Sequence, residues 1–102
     1  MIGKDKIYLA GPIRGVPDYK ERFAAKREHY EQRGFIVMDP SVLPSGMAQA
    51  DYMRICMAMI QSADAMVLLD GWDLSEGAKI EKAYAEMVGL PVFALKGGEQ
   101  LE

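Results

Sequence analysis

Apolar runs and amphipathic segments alternate along the chain, and this alternation predicts its fold. Four short runs are mainly apolar, as expected for strands buried on both faces, and they cover residues 6–10, 35–38, 65–69 and 92–95. Segments with apolar residues at helical spacing separate them. Because strands and helices alternate in this way, the pattern indicates βαβ units built around a parallel sheet.

The first two helices are placed by their cap residues and spacing. Asp18 is a candidate N-cap, Glu21 would complete a capping box, and Gly34 is positioned to end the helix. A loop over residues 41–50, which contains Pro, Ser and Gly, leads into a second helix over residues 51–62. The apolar residues of that second helix recur at helical spacing: Met53, Cys56, Met57 and Ile60.

The third helix opens at Ser75 and is predicted to end at Gly89. Glu81 lies at the edge of its apolar stripe, on the same side as Gly77. A carboxylate there is poorly placed for solubility and well placed to meet a ligand over the end of a parallel sheet, so Glu81 is the first candidate for chemistry. The stripe itself comprises Ile80, Ala83, Tyr84, Met87 and Val88.

The predicted topology also locates a ligand site. Parallel crossovers are right-handed, so helices are expected on both faces of the sheet. Ligands of such folds bind beyond the carboxyl ends of the strands, near the point where the strand order reverses. This rule selects residues 11–16, 39–44 and 70–77. The pattern does not give the order of the strands.

Length and composition limit the classes of protein that fit. The 102 residues predict a single domain over residues 1–102. A net charge of −3 argues against a general nucleic-acid binder, and the sequence predicts neither a membrane span nor a signal peptide. The single cysteine, Cys56, cannot form an internal disulfide, so a reducing cytoplasm is expected. With one histidine and one cysteine, no metal site of the nitrogen or sulfur type is expected.

The turn after the first strand, Gly-Pro-Ile-Arg-Gly at residues 11–15, is a candidate phosphate site. Gly11 and Gly15 let the backbone approach a ligand closely, and the Arg14 guanidinium offers a planar fork of donors suited to phosphate. The turn is neither a P-loop nor a dinucleotide fingerprint, because it lacks the lysine-serine pair and the Gly-x-Gly-x-x-Gly spacing. The plain alternative is an ordinary strand-to-helix turn with a solvent-exposed arginine.

Two roles fit the hydroxyl of Ser75 at the start of the third helix. It can cap the free backbone amides of the first turn. It can also join those amides in holding an anion, because a helix N-terminus carries partial positive charge. Ser75 and Arg14 follow neighbouring strands and could hold one phosphate between them, with Gly77 keeping the first turn clear of side chains.

Two interpretations also fit Glu81. In the first, an edge glutamate reaches solvent or pairs with Lys79 or Lys82. In the second, a partly buried carboxylate near the positive end of a helix stays ionised and attacks an electron-poor carbon. Helical spacing alone does not decide between them.

Four further residues belong to the same strand ends. Tyr8, on the first strand, either packs in the core or directs its hydroxyl towards the site. Trp72 either packs on a neighbouring element or stacks on a base. Asp70 and Asp73 flank Trp72 in one turn and are either solvated acids or ligand contacts.

Two motifs resemble those of a known superfamily. Residues 8–15, Tyr-Leu-Ala-Gly-Pro-Ile-Arg-Gly, and the Ser-x-Gly-Ala-x-x-Glu of residues 75–81 are similar to the nucleoside 2-deoxyribosyltransferase superfamily. Residues 52–54, 64–65 and 68–72 resemble its small DUF4406 group, often found in phage and prophage genomes. The resemblance covers nearly the whole chain, with the motifs in the right order.

The resemblance implies a three-layer Rossmann-like or flavodoxin-like α/β sandwich with a parallel sheet of four to five strands, assembled as a homodimer or larger homo-oligomer. Members cleave the N-glycosidic bond of deoxynucleosides or nucleoside monophosphates, with no cofactor expected. The glutamate matching Glu81 attacks C1′ and forms a covalent glycosyl-enzyme, which another base or water resolves. The tyrosine matching Tyr8 helps to position the nucleophile and the sugar.

A 5′-phosphate would be bound, by the same resemblance, at the turn after the first strand and at the start of the third helix. Because Arg14 and Ser75 are both present, a nucleotide is the expected small-molecule partner in preference to a free nucleoside. The residues implied in phosphate binding are Gly11, Ile13, Arg14, Gly15, Ser75 and Gly77.

One position departs from the superfamily pattern. Active relatives carry an aspartate eight residues before the one matching Asp64, where it orients the sugar and protonates the leaving base, and Cys56 stands there. Cysteine is a poor substitute, because a thiol is a weak acid and a weak hydrogen-bond donor. Asp51, Asp70 or Asp73 could serve instead. The alternative function is therefore a non-catalytic nucleotide-binding module, and a third is a structural or interaction protein on this scaffold.

Overall fold

The computed structural model describes residues 5–94 and contains a wholly parallel, four-stranded sheet. The strands lie in the order β2-β1-β3-β4. This arrangement confirms the predicted α/β fold with a parallel sheet. The strand bounds are β1 (Lys6–Ala10), β2 (Ile36–Met38), β3 (Ala65–Leu68) and β4 (Val92–Ala94). The predicted last strand extended to Leu95, which lies outside the described residues.

Three α-helices cover the sheet, one on one face and two on the other. They are α1 (Tyr19–Glu31), α2 (Gln49–Ser62) and α3 (Glu76–Met87). The side chains of α1 pack into one buried cluster, and those of α2 and α3 pack into a second cluster on the opposite face. We call these two sides the α1 face and the α2/α3 face. No helix in residues 5–94 is long and apolar enough to cross a membrane.

The alternation of side chains along β1 divides the two cores. Ile7 and Leu9 pack on the α1 face, whereas Tyr8 and Ala10 pack on the α2/α3 face. Strand β1 lies inside the sheet between β2 and β3 and is covered on both faces, which explains its continuous apolar character. The alternation thus places Tyr8 beneath helices α2 and α3.

The strand order reverses at the carboxyl ends of β1 and β3, where ligands of such folds bind. The two following loops are packed tightly together. A β-carbon at Gly11 would lie only 2.8 Å from Leu69 Cβ, so this glycine permits close packing of the strand ends. Gly71 has a left-handed backbone (φ 89°), and a β-carbon there would lie 3.2 Å from Pro12 Cγ.

The helix ends follow the predicted signals in part. Gly34 and Gly89 have left-handed backbones just beyond α1 and α3, as expected for C-terminal stops. Helix α2 begins at Gln49, inside the segment predicted as loop, and a short 3-10 helix (Pro40–Val42) occupies the start of that segment. A second 3-10 helix (Trp72–Leu74) precedes α3.

The predicted capping box at the start of α1 is wrong. Asp18 occupies the N-cap position, but its carboxylate caps no backbone amide. It accepts instead from Arg22 Nε at 3.1 Å, one helical turn later. The ion pair engages the carboxylate that would otherwise cap the first turn of α1.

The predicted apolar stripe of α3 is also wrong. Ala83, Ile80, Met87 and Val88 are exposed, with 84% of Met87 accessible, and Tyr84 is half-buried. The buried face of α3 consists of Ala78, Glu81 and Ala85. Small alanine side chains let the helix lie close to the sheet, where larger residues would not fit. Glu81 is therefore at the centre of the inward face and not at its edge.

Candidate functional site

Glu81 is a carboxyl group buried inside the α2/α3 face. Its side chain is 9% exposed, and Ala78 and Ala85 on the same face of α3 are buried beside it. Among the described residues, Asp39 is the other buried carboxyl group. Asp39 is tied to Arg27 and to the backbone amide of Ser41. Glu81 has no such cationic partner, which is the arrangement expected of a functional carboxylate.

The two neighbours of Glu81 come from different elements. Tyr8 reaches it from the centre of the sheet and Cys56 from helix α2, and both are buried. The Tyr8 hydroxyl makes no well-aligned hydrogen bond within the described part of the chain. It nevertheless lies near enough to interact with both Glu81 and Cys56. Because no hydrogen bond within residues 5–94 satisfies it, this hydroxyl can donate one to a ligand.

Burial dominates the protonation of this trio. Burial raises the pKa of Glu81 to about 7, and hydrogen bonding from Tyr8 and then Cys56 offsets part of that rise. Burial also raises the pKa of the Cys56 thiol to about 11 and raises the pKa of Tyr8 well above its usual value. The expectation that Glu81 stays ionised is therefore wrong: its carboxyl group is partly protonated near neutral pH.

The lysines near Glu81 in sequence do not pair with it. Lys79 Nζ lies 2.9 Å from Glu76, and Lys82 Nζ lies 2.7 Å from Glu86. Both ion pairs are on the outer part of α3. This arrangement overturns the interpretation of Glu81 as a solvent-facing or lysine-paired residue.

Ser75 caps helix α3 as its simpler interpretation predicted. Its Oγ accepts a hydrogen bond from the Ala78 amide at 3.2 Å. The first turn is otherwise clear, because a β-carbon at Gly77 would meet no atom within 4 Å. The positive end of α3 thus faces open space one to two turns before Glu81.

Arg14 is exposed in the loop after β1 and makes a contact that the sequence did not indicate. Its Nη2 donates to Gln49 Oε1 at 2.9 Å, at the first residue of α2. Ile13 packs partly against the α1 face, and Gly15 has a left-handed backbone. No hydrogen bond among the described residues joins Arg14 to Ser75, so their shared phosphate site stays a prediction. Gln49 carries no motif that would have revealed it.

Trp72 and the two aspartates lie at the turn before α3. Trp72 packs partly against the α2/α3 face, and Lys82 Nζ lies 5.4 Å from the centroid of its ring. Packing on neighbours is therefore confirmed for Trp72, while base stacking stays a prediction. Asp70 and Asp73 are exposed.

Two surface grooves among the described residues lie away from the buried trio. One of about 430 Å³ runs between Met38 and α2, and another of about 410 Å³ lies on the α1 face beside Phe23 and Leu69. Neither contains Glu81. We place the site at Glu81 because the buried, unpaired carboxyl group can carry chemistry and both grooves are lined largely by apolar atoms. No group of three or more potential metal ligands exists among the described residues.

Known proteins are similar to this chain in sequence and in fold. Residues 5–94 match the family described as "Domain of unknown function (DUF4406)". A Thermofilum pendens protein named "Putative 2'-deoxynucleoside 5'-phosphate N-hydrolase 1" is 29% identical over 103 residues, which is 95% of this chain and 71% of that protein. The fold is similar to that of a 2-desoxiribosyltransferase from Leishmania mexicana. That match has a TM-score of 0.69 at 20% identity and covers 86% of this chain but 61% of the Leishmania chain.

The family match covers most of the sequence, and the sheet, helices and buried trio all lie within it. The structural likeness to the Leishmania protein shows a common fold at low identity. The chain belongs to the DUF4406 family.

Proposed function

We propose that this protein cleaves the N-glycosidic bond of a (deoxy)nucleoside 5′-monophosphate, passing the sugar to water or to another base. The observation that carries the proposal is the buried Glu81 carboxyl group, which has the neutral side chains of Tyr8 and Cys56 as neighbours and no cation paired with it among residues 5–94. The name of the Thermofilum relative, an N-hydrolase of deoxynucleoside 5′-phosphates, supports the same reaction.

The first step is attack by Glu81 on the sugar. A carboxylate oxygen of Glu81 forms a bond to C1′ while the bond from C1′ to the base nitrogen breaks, and its electron pair leaves with the base. The anomeric carbon is electron-poor, so a carboxylate is a sufficient nucleophile when it is held against that carbon. The Tyr8 hydroxyl supports this step by donating to Glu81 or to the sugar.

The second step releases the sugar from the enzyme. Water or a second base attacks C1′ from the side that the first base left, and Glu81 departs as a carboxylate. Two inversions at C1′ give overall retention of configuration. The buried position of Glu81 favours this route, because burial keeps bulk water away from the covalent intermediate until the acceptor enters.

The 5′-phosphate is held, in this proposal, at the carboxyl ends of β1 and β3. Arg14 supplies charge and Ser75 stands at the positive end of α3, where a phosphate is favoured. Gln49 then competes with the phosphate for the Arg14 guanidinium or holds it in place. The remaining contacts in this proposal come from the backbone at Gly11, Ile13, Gly15 and Gly77.

Release of free base from a panel of nucleotides tests the reaction. The panel contains deoxyribonucleoside and ribonucleoside 5′-monophosphates with the common bases, and chromatography measures the base released. Glu86→Gln is the matched control for Glu81→Gln, because Glu86 lies on the exposed side of the same helix. Release by wild type and by Glu86→Gln, but not by Glu81→Gln, supports the proposal. No release by wild type above Glu81→Gln across the panel overturns it.

Cys56 favours a second candidate, a nucleotide-binding module without turnover. A thiol beside Glu81 gives the leaving base a weak proton donor, so the site could bind a nucleotide and fail to cleave it. This candidate predicts saturable binding by calorimetry, weakened in Arg14→Ala, with no base released. Absence of any binding would eliminate it.

A homodimer or higher homo-oligomer is the assembly that we propose. The outer face of α3 exposes large apolar side chains, Ile80, Met87 and Val88, that a second copy would cover. Light scattering coupled to size exclusion measures the mass in solution. A mass of one chain at all concentrations would refute this assembly, and Met87→Lys should lower the mass if α3 forms the interface.

A further inference from the structure

We infer that the substrate of this site is a nucleoside 5′-monophosphate whose base is a positively charged ring, such as a pyridinium or an N7-alkylated purine. This inference rests on the proposed function and narrows its substrate class. It follows from the surroundings of Glu81 within residues 5–94, where a phenol and a thiol, and not a second carboxylic acid, are buried beside the nucleophile.

The charge of the leaving base determines whether the reaction needs an acid to protonate that base. A neutral base departs with the electron pair of the C1′–N bond and becomes an anion unless a proton reaches it in the transition state. A cationic base accepts that pair into its own positive charge and departs as a neutral molecule. A site without an acid therefore discriminates strongly between the two kinds of base.

The groups that touch Glu81 are poor acids. Tyr8 and Cys56 are buried with it on the α2/α3 face; a phenol and a thiol are weak acids, and burial raises the pKa of both further, to about 11 for Cys56. At neutral pH each holds its proton too firmly to transfer it to a departing base at a useful rate. Asp39, the other buried carboxyl group among the described residues, is already bound by Arg27 and the Ser41 amide.

The other candidate acids, Asp51, Asp70 and Asp73, lie outside the buried cluster around Glu81. Asp51 lies five residues before Cys56, about 140° away around helix α2, and it is ion-paired with Arg54 at 2.5 Å. Asp70 and Asp73 are exposed in the turn before α3. A general acid needs surroundings that keep its proton at working pH, and solvent does not provide them.

Charge around the site also favours a cationic base. A positive ring beside Glu81 would stabilise its carboxylate form, so the substrate itself would help to ionise the nucleophile. The exposed carboxylates of Asp70 and Asp73 lie at the same strand ends, and the protein carries a net charge of −3. A neutral base would give Glu81 no such help.

The proposed step balances without any further reactant. A lone pair of Glu81 forms the bond to C1′, and the pair of the C1′–N bond neutralises the ring. Water then attacks C1′, Glu81 leaves as a carboxylate, and the proton of the water passes to solvent. The products are a neutral base and a sugar 5-phosphate.

Substrate pairs that differ by one methyl group test the inference. N7-methylguanosine 5′-monophosphate is compared with GMP, and the 2′-deoxy forms are compared in the same way. Nicotinamide mononucleotide serves as a pyridinium substrate. Rates measured with Glu81→Gln are subtracted, because methylated purines lose their base slowly without enzyme. We expect kcat/KM to be at least about 100-fold higher for the methylated member, the scale of a missing acid.

Cys56→Asp tests the cause of the preference, with Cys56→Ser as the variant of nearly unchanged shape. Cys56→Asp should raise kcat/KM for GMP at least about tenfold and narrow the ratio between the two substrates, whereas Cys56→Ser should leave the ratio unchanged. If Cys56→Asp fails to fold, the ratio of kcat/KM between the methylated nucleotide and GMP in wild type still tests the preference for a cationic base. An unchanged ratio in folded Cys56→Asp would contradict the role given to the missing acid.

The inference and the proposed function fail in different ways. Equal kcat/KM for GMP and its methylated form, both lost in Glu81→Gln, would overturn the preference and leave the proposed function standing. No release from any substrate above the Glu81→Gln rate would overturn both. Release from the methylated nucleotides and nicotinamide mononucleotide alone would support both.

Discussion

The two faces of the sheet are built from the same strands but differ in chemistry. On the α1 face, Phe23 and Phe35 pack on alternate residues of β1 and β3 in an almost wholly apolar core. On the α2/α3 face, the intervening residues place Tyr8 against Cys56 and Glu81. A shift of one residue along β1 separates a packing position from a position in the candidate site.

This difference shows that, in a small domain, one face of the sheet can supply most of the stability while the other face holds the candidate site. The α1 face gains free energy from apolar burial, whereas the α2/α3 face gives up some of it by burying a carboxyl group. A buried glutamate without a cation is costly when ionised, so its retention is better explained by a reaction than by folding. Substitutions in the α1 face should therefore lower the free energy of unfolding with little effect on turnover. Substitution of Glu81 on the α2/α3 face should lower turnover with little effect on the free energy of unfolding.

The largest expected effect is the loss of turnover in Glu81→Gln. Removing the nucleophile should lower kcat by about 10⁴-fold or more, while the free energy of unfolding at pH 8 should stay equal or rise because no charge is buried. Steady-state kinetics and urea unfolding check the two halves. Glu86→Gln should match wild type in kcat and in the free energy of unfolding. A Glu81→Gln variant with near-normal turnover would contradict the role of Glu81 as nucleophile.

Phe23→Ala on the α1 face should have the opposite effect to Glu81→Gln: stability is lost and turnover is largely kept. Phe23 is fully buried, so its truncation should lower the free energy of unfolding by about 3–5 kcal/mol. Turnover per folded molecule should change far less than in Glu81→Gln. Urea unfolding with activity measured at low temperature separates the two quantities. A loss of turnover at full stability would show that the α1 face also takes part in the reaction.

The pH dependence of stability should also differ between the two faces, because Glu81 titrates on the α2/α3 face. The pKa of Glu81 is raised to about 7 in the folded protein, above its ordinary value of 4.5. The folded state therefore binds this proton more tightly than the unfolded state, and the stabilisation is complete below pH about 4.5 and lost as the pH rises through about 7. The loss should be about 3–4 kcal/mol at most, and kcat/KM should rise over the same range.

Unfolding of wild type and Glu81→Gln in urea between pH 5 and pH 8 measures this effect. The difference between their free energies of unfolding should change with pH, because Gln cannot titrate. Parallel curves for the two proteins would show that Glu81 is not the titrating group. Phe23→Ala should run parallel to wild type, because it changes no titratable group.

The smallest effect is expected at the phosphate site. Arg14→Ala should raise KM about 10–100-fold, equivalent to roughly 1.5–3 kcal/mol for a hydrogen bond to a charged group, with little change in kcat or stability. Arg33→Ala is the matched control, because Arg33 lies beyond the opposite end of α1. A nucleoside without phosphate should not distinguish Arg14→Ala from wild type, and equal loss with both substrates would contradict the phosphate role.

The sequence predicted the strands and their parallel direction, because continuous apolar runs report burial on both faces of a sheet. It misplaced the inward face of α3, since Ala78 and Ala85 pack there while larger apolar residues remain exposed. It also could not show that Cys56 lies beside Glu81, because that contact joins two helices that are adjacent only in the folded protein.

The central claim is that Glu81 forms a bond to C1′ of the sugar. Rapid denaturation during turnover of N7-methylguanosine 5′-monophosphate, followed by peptide mass spectrometry, tests it directly. We predict a sugar-phosphate adduct on the peptide at Glu81 in wild type and Glu86→Gln, and none in Glu81→Gln. Base release without any adduct at Glu81, or with the adduct on another residue, would contradict the claim.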